Sequence, residues 1–330
     1  MARAARTGNA PHGAGRPNLL CGRAPIPAHD QEEVVYATAG RLTERFHSVC
    51  ERRGIPFDII TSVRPYDDTT LFCPAGMQQF KSRFRDPAYR GTVANIQSCL
   101  RLSDLDEIGD GSHLLHFDMM GLFSFREMSV KDAVDFWFEV LEGVGLAPDT
   151  VTIHPDRLDD WRALYEGRAV AIAPDPDCFW SDGEQGGYCT EFYIRGVEIG
   201  NIVNTGGDCI DVGFGLDRLA LMLGEPPPDA TTTLAEGIRR IIQSGYRPGP
   251  KQQGYVLRRL LRQLVRQGGA LDDPLFAEEQ QRQAKLMRRF RTLWPKHRDK
   301  PKAWWLDTHG IDLDDALESA PDPDGPAPPD

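Results

Sequence analysis

The chain has 330 residues, 40% of them hydrophobic and 26% charged, with a formal net charge of −11. That apolar fraction excludes disorder throughout, no run of about 18 apolar residues is present to span a bilayer, and the acidic balance excludes a protein that coats nucleic acid with its whole surface. Seven scattered cysteines (Cys21, Cys50, Cys73, Cys99, Cys178, Cys189, Cys209) with no CxxC pair argue against a disulfide framework or a structural zinc site, and point to a reducing cytoplasm.

Residues 1–30 are rich in Ala, Gly, Arg and Pro and carry no acid before Asp30. They read as a disordered extension, with an organelle-targeting peptide as the minor alternative. Val35, Leu42, Phe46 and Val49 share one helical face, which predicts an amphipathic helix over 31–53. Short β-rich runs follow at 58–63, 92–101, 188–194 and 197–203, with a helix over 131–144 between the second and third. Strands that arrive without a helix after each one favour an α+β fold, an antiparallel sheet flanked by helices, over a doubly wound parallel sheet. A strand at 209–212 leads through Gly213-Phe214-Gly215 into a helix at 216–223.

Pro226-Pro227-Pro228 reads as a domain boundary. Beyond it, 233–267 and 275–294 look helical. Leu257, Leu260, Leu261 and Leu264 form an apolar stripe, with Arg258, Arg259, Arg262 and Arg266 placed largely around it. The expected division is an extension over 1–30, a sheet-containing domain over 31–228, a basic helical region over 229–315 and an unstructured Pro/Asp-rich tail over 316–330. Residues 237–302 hold 17 Lys/Arg against 5 Asp/Glu, a net of +12 that leaves −23 for the rest of the chain. A solvated charged face is the bland reading; a polyanion-binding module is the other.

Four stretches carry potential chemistry. Residues 71–81 are apolar and place small residues where backbone must approach closely, a pattern that a core turn also shows. In 97–125, Arg101 ends one strand and His113-Leu-Leu-His116-Phe117 begins the next. Such a strand–loop–strand can aim a guanidinium fork at phosphate oxygens and offer an aromatic face to a base; a surface hairpin with Arg101 paired to Asp104 or Asp106 is the alternative. His113 and His116, three apart on a strand, point to opposite faces, which argues against a shared metal ion. Residues 178–201 mix aromatics with isolated polar groups, as a small-ligand pocket or as alternating strand faces. In 210–218, glycines allow close backbone approach, Asp211 is suited to an ammonium and Arg218 to a nucleotide, although either alone is more often a structural ion pair.

In this order the stretches resemble the class II aminoacyl-tRNA synthetases, and within them the alanyl-tRNA synthetase family. The resembling segments are AGMQQF (75–80), DLDEIG (104–109), FDMMGLFSF (117–125), CTEFY (189–193), EIGNIV (198–203), IDVGFGLDR (210–218) and GYVLRR (254–259). LDTHGIDLD (306–314) looks like the family's segment just before its editing domain. The resemblance covers about residues 31–315 of what would be a truncated form, without the editing and C-terminal domains.

The resemblance implies a class II sheet followed by a smaller helical region. It implies ATP and Mg²⁺ as cofactors, and alanine or a similar small amino acid as substrate. Arg101 matches the arginine that holds the α-phosphate of ATP, His113 and Phe117 the pattern of His/Arg, three residues and Phe in which the Phe stacks on adenine, and Arg218 the arginine on the other side of the nucleotide. Trp180, Asn201, Asp211 and Gly213 match positions around the amino acid, with Asp211 on its ammonium. Arg258, Arg259 and Arg262 are the tRNA-binding candidates. No protein side chain is expected to ligate metal.

The implied reaction is attack of the amino-acid carboxylate on the α-phosphorus of ATP, with Arg101 and Arg218 as catalytic residues, followed by transfer to tRNA. The pattern also departs from the family. The loop after Arg101 is short and lacks the family's phosphate-binding lysine, reading Leu102-Ser103-Asp104. Gly200 replaces a Trp, which is expected to enlarge the pocket, and Val212 replaces a Thr. These departures keep two alternatives open: transfer to a small molecule or carrier protein in specialised metabolism, and a non-catalytic paralogue. Monomer and dimer are both compatible with the sequence.

Overall fold

The computed structural model describes residues 28–319 apart from 107, 110–112 and 184; residues 28–37, 104, 106, 315, 318 and 319 are described by backbone only. Of the predicted extension over 1–30 and tail over 316–330, residues 1–27 and 320–330 lie outside the described residues; the inner ends, 28–30 and 316–319, are helical rather than unstructured, because each continues a helix of the ordered chain.

The order of elements is α1 (Ala28–Arg52), β1 (Phe57–Ile60), α2 (Lys81–Arg85), β2 (Gly91–Leu100), β3 (His116–Phe125), α3 (Val130–Glu142), β4 (Thr150–Ile153), α4 (Leu158–Trp161), β5 (Ala171–Pro174), β6 (Phe179–Ser181), β7 (Gly186–Ile194), β8 (Val197–Thr205) and β9 (Cys209–Gly215). Helices α5 (Leu216–Met222), α6 (Ala230–Gln243), α7 (Gln252–Arg266), α8 (Pro274–His297), α9 (Lys302–His309) and α10 (Leu313–Ser319) complete it.

Among the described residues the strands form one sheet in the order β1-β2-β3-β9-β8-β7-β4-β5, with β6 paired to the free part of the β7 edge. The central pairs are antiparallel, as the sequence predicts. The sheet as a whole is mixed, because β1 runs parallel to β2 and β4 parallel to β5. Each parallel pair is a long crossover, which the chain spacing concealed. Strands β4, β5 and β6 carry only three or four residues each and were not legible as strands.

Helices α1 and α3 cover one face of the sheet. Leu42, Phe46 and Val49 are fully buried, and Phe46 stacks on Trp137 at 5.2 Å, which in turn stacks on Phe214 of β9 at 4.0 Å. Stacked aromatics of this kind anchor helix to sheet beyond their buried area. α3 starts where Ser129 accepts from the Asp132 amide and the Asp132 carboxylate accepts from the Ser129 amide, a reciprocal cap. The other face of the sheet is left open at its centre, and a cleft lies there.

The predicted helix over 233–267 is two helices. The chain turns between α6 and α7 through Gly245, at φ +90°, followed by Pro248 and Pro250, none of which continues a helix. Leu257, Leu260, Leu261 and Leu264 are buried as their spacing requires. They share one core with Leu234, Ile238 and Ile241 of α6 and with Val63, Phe72, Leu100 and Leu115 of the sheet unit. Phe290, Trp305 and Ile311 form a separate cluster between α8, α9 and the start of α10. No helix among the described residues is long and apolar enough to cross a membrane.

Candidate active site

The antiparallel registers place alternate residues of β3, β9 and β8 on the open face. Gly213 pairs with Gly121 and with Asn201, Asp211 with Phe123 and Val203, and Gly215 with Met119. A cleft of about 180 Å³ results. Its lining includes Arg101, His113, Phe117, Trp180, Asn201, Asp211, Gly213 and Arg218, so all eight residues assigned to nucleotide or amino acid from sequence converge on one concavity. Glu198, Asp217 and Met119 line it as well. These three were missed. Glu198 is the second residue of β8 and Asp217 the second of α5, and neither position carries a local signal of the partner it faces.

Arg101 stands at the end of β2, its amide bonded to the Leu115 carbonyl at 3.0 Å. Its Nε donates to the Pro74 carbonyl at 3.0 Å, and its guanidinium carbon lies 4.9 Å from the Phe117 ring centre. The side chains of Asp104 and Asp106, the alternative partners, lie outside the described residues. His113 precedes β3 rather than starting it and reaches the cleft. His116 opens β3, is absent from the cleft lining, has its side chain largely covered beside Asp118, and is pushed down to about 4 by desolvation, so it is neutral at pH 7. The two histidines therefore diverge, as their spacing implies.

Arg218, in the first turn of α5, donates to the Glu198 carbonyl at 3.0 Å and to its carboxylate at 3.2 Å. The ion pair that the sequence allows for Arg218 is thus formed, and it sits inside the cleft. Asp211 is 9% exposed. Burial, and secondarily the charge of Asp182, pushes its carboxyl up to about 7. The charged group that acts on it is thus another acid, and a ligand ammonium would supply the missing cation. Asp217 is also raised to about 7, chiefly by burial, while accepting from the Asp118 amide at 2.8 Å.

At Gly213 a Cβ would stand 2.9 Å from the Met119 sulfur, so a larger residue there would have to displace the Met119 side chain. Gly200 behaves differently from expectation. Its absent side chain points at the Gly213 carbonyl and the Phe214 ring, each 2.5 Å from a Cβ built there. Phe214, stacked on Trp137 in the core, fills that space, so replacing a Trp with Gly200 does not enlarge the cleft.

The helical region divides the three other predicted arginines. Arg258 and Arg262 line a second cavity of about 280 Å³ with Arg266 and Arg282, whereas Arg259 is exposed on the helix surface. Glu279, buried between α7 and α8, is bonded to Arg282 and lies 3.6 Å from Arg262.

Comparison with known proteins follows this geometry. Residues 55–212 match the family described as tRNA synthetases class II (A). An alanine--tRNA ligase of Tropheryma whipplei is 29% identical over 308 residues, covering 70% of this chain and 35% of its own length. An alanine--tRNA ligase of Francisella philomiragia is 30% identical over 309 residues, covering 70% and 36%. The chain thus spans about a third of the length of the curated relatives it matches. Among solved structures, a pyrrolysyl tRNA synthetase from Desulfitobacterium hafniense aligns over 64% of this chain and 74% of that one, at a TM-score of 0.38 and 14% identity.

Proposed function

From its class II tRNA synthetase domain, residues 55–212, we propose that this chain activates alanine or a similar small amino acid to an aminoacyl adenylate and transfers it to tRNA. The observation that carries the reading is the convergence of Arg101, Phe117, Asp211 and Arg218 on one cleft. A buried carboxylate whose charged neighbour is an acid suits a ligand ammonium, and two arginines lining the same cleft suit a triphosphate.

In this reading Asp211 takes the ammonium, Asn201 and the Trp180 wall orient the amino acid, and Gly213 leaves room for its backbone. One carboxylate oxygen of the amino acid attacks the α-phosphorus, the bond to the pyrophosphate oxygen breaks, and the adenylate forms. The nucleophile is already ionised, so no general base is needed. Catalysis is positioning plus neutralisation of phosphate charge by Arg101 and Arg218. The purine stacks on Phe117 beside His113. The oxygens of Glu198 are hard donors of the kind Mg²⁺ takes. Bound there, the ion supplies further neutralisation of phosphate charge.

Amino-acid-dependent ATP–pyrophosphate exchange across an amino-acid panel tests the proposal. Exchange with a small amino acid is expected, and no exchange with any amino acid would overturn it. Transfer to a small molecule or carrier protein is the second reading of the acceptor. The short turn after Arg101, Leu102–Asp106, favours it, because nothing there supplies a lysine for an acceptor end. Exchange without formation of charged tRNA would select it.

A further inference from the structure

Strand β6 pairs antiparallel with β7, Phe179 opposite Tyr188. That register sets Cys178 directly across from Cys189, whose amide donates to the Cys178 carbonyl at 3.0 Å. Directly opposed side chains share a face, and Glu191, two residues along β7, points the same way. One donor atom from each, the two sulfurs and a Glu191 carboxylate oxygen, all lie within 4.8 Å of one another. The cysteines are 0% and 2% exposed. The Thr152 hydroxyl lies 2.9 Å from the Cys178 sulfur. The charged groups that bear on Glu191 are Glu198, Asp175 and Asp177, all of them acids.

Two soft sulfur donors and one carboxylate in an acidic surround form a donor set that a thiophilic divalent cation satisfies. Mg²⁺ and Ca²⁺ take oxygen ligands instead. Tetrahedral Zn²⁺ places its sulfur and oxygen ligands roughly 3.3–3.8 Å apart, so the three groups need draw in by only about 1 Å. Against the expectation from cysteine spacing, which does not show the pairing of β6 with β7, we propose that Cys178, Cys189 and Glu191 are three ligands of a zinc ion, with the fourth position left to a non-protein donor. On binding, both thiols give up their protons to solvent. Trp180 packs against Cys178, Cys189 and Val203, so the ion ties the β6–β7 hairpin and holds the Trp180 wall of the cleft in place. The site stands independently of the reaction proposed above.

The test uses the full chain. After incubation with Zn²⁺ and desalting, elemental analysis is expected to find about one zinc per chain. Co²⁺ in its place is expected to give thiolate-to-cobalt charge-transfer bands, which Cys178→Ser and Cys189→Ser abolish and Glu191→Gln weakens. Cys99→Ser, which alters the separate buried Cys73/Cys99 pair, should keep them. The wild-type measurements need no variant and so do not depend on how the variants fold. Three results would each overturn the proposal: less than a tenth of an equivalent of metal in the loaded wild type, a disulfide between Cys178 and Cys189, or cobalt bands absent in Cys99→Ser and kept in Cys178→Ser.

Discussion

The Arg101 guanidinium carbon lies 4.9 Å from the centre of the Phe117 ring, held by an Nε bond to the Pro74 carbonyl. The cation therefore covers the aromatic face on which a purine would stack. Such an interaction is worth about 0.5–1 kcal/mol at a partly exposed site, less than base stacking returns. Under the proposed function, a nucleotide entering the cleft of about 180 Å³ displaces this contact to reach the ring.

Phe117→Ala is expected to raise the KM for ATP in pyrophosphate exchange by about 5- to 150-fold, the cost of roughly 1–3 kcal/mol of stacking. An unchanged KM would place the purine elsewhere. Arg101→Lys keeps the charge and loses the planar fork, and is expected to lower kcat/KM by about 100-fold.

Arg218 is the other cation of the cleft, bonded to Glu198 at 3.2 Å. Arg218→Ala should abolish exchange, and full activity in that variant would remove the nucleotide from this cleft. A purely structural ion pair predicts a lower melting temperature with exchange preserved, so the two measurements together separate the roles.

Asp211 supplies a pH signature. Burial raises its carboxyl to about 7, so the empty site is largely protonated at pH 6 and ionised at pH 8. Binding an ammonium requires the ionised form. Calorimetry in two buffers is expected to show release of about one proton per amino acid bound at pH 6 and about none at pH 8. Proton release that does not change between the two would exclude Asp211 as the ammonium partner.

The same shift sets a stability difference. A carboxyl raised in the folded state favours folding below its unfolded value near 4, and that contribution is lost as pH rises through about 7. Asp211→Asn is therefore expected to be more stable than the parent at pH 8, by about 4 kcal/mol, three pKa units at about 1.4 kcal/mol each, and to lose that advantage by pH 4. Thermal melts at the two pH values check it.

Gly200→Ala tests which way that position faces. A Cβ there meets the Gly213 carbonyl and the Phe214 ring at 2.5 Å, so the substitution should destabilise the protein by about 1–3 kcal/mol. The order of preference across the amino-acid panel should not change. Altered preference at unchanged stability would show that Gly200 faces the ligand.

Arg258→Ala/Arg259→Ala should weaken tRNA binding and leave exchange intact. The slope of log affinity against log salt should fall by about 1 for each phosphate the variant no longer neutralises. Equal loss of charging and exchange would contradict separate activation and tRNA-binding surfaces.

Much of this fold is local and was readable. The Leu257, Leu260, Leu261 and Leu264 stripe could only bury itself as a helix face, and the Ser129/Asp132 pair marks the start of α3 one residue before the predicted 131. What resisted reading was short or long-range. β4 and β5 are four residues each, too few for a period to emerge, and their parallel pairing spans a crossover. A continuous helix over 233–267 follows from composition alone, but the turn at Gly245 and the prolines after it break it.

Sequence by itself determined the order of the candidate residues Arg101, Phe117, Asn201, Asp211 and Arg218 along the chain, and a basic segment of +12 inside an acidic protein. Only the tertiary structure decided what those residues share. Their meeting in one cleft depends on the strand order β3-β9-β8-β7 and on registers in which a slip of one residue would turn each side chain to the other face. The same registers bury Asp211 beside an acid, aim Gly200 at Phe214 rather than at the cleft, and bring Cys178 opposite Cys189 across a hairpin. Pairing between distant strands carries no local pattern, and so these relationships become visible only in the folded sheet.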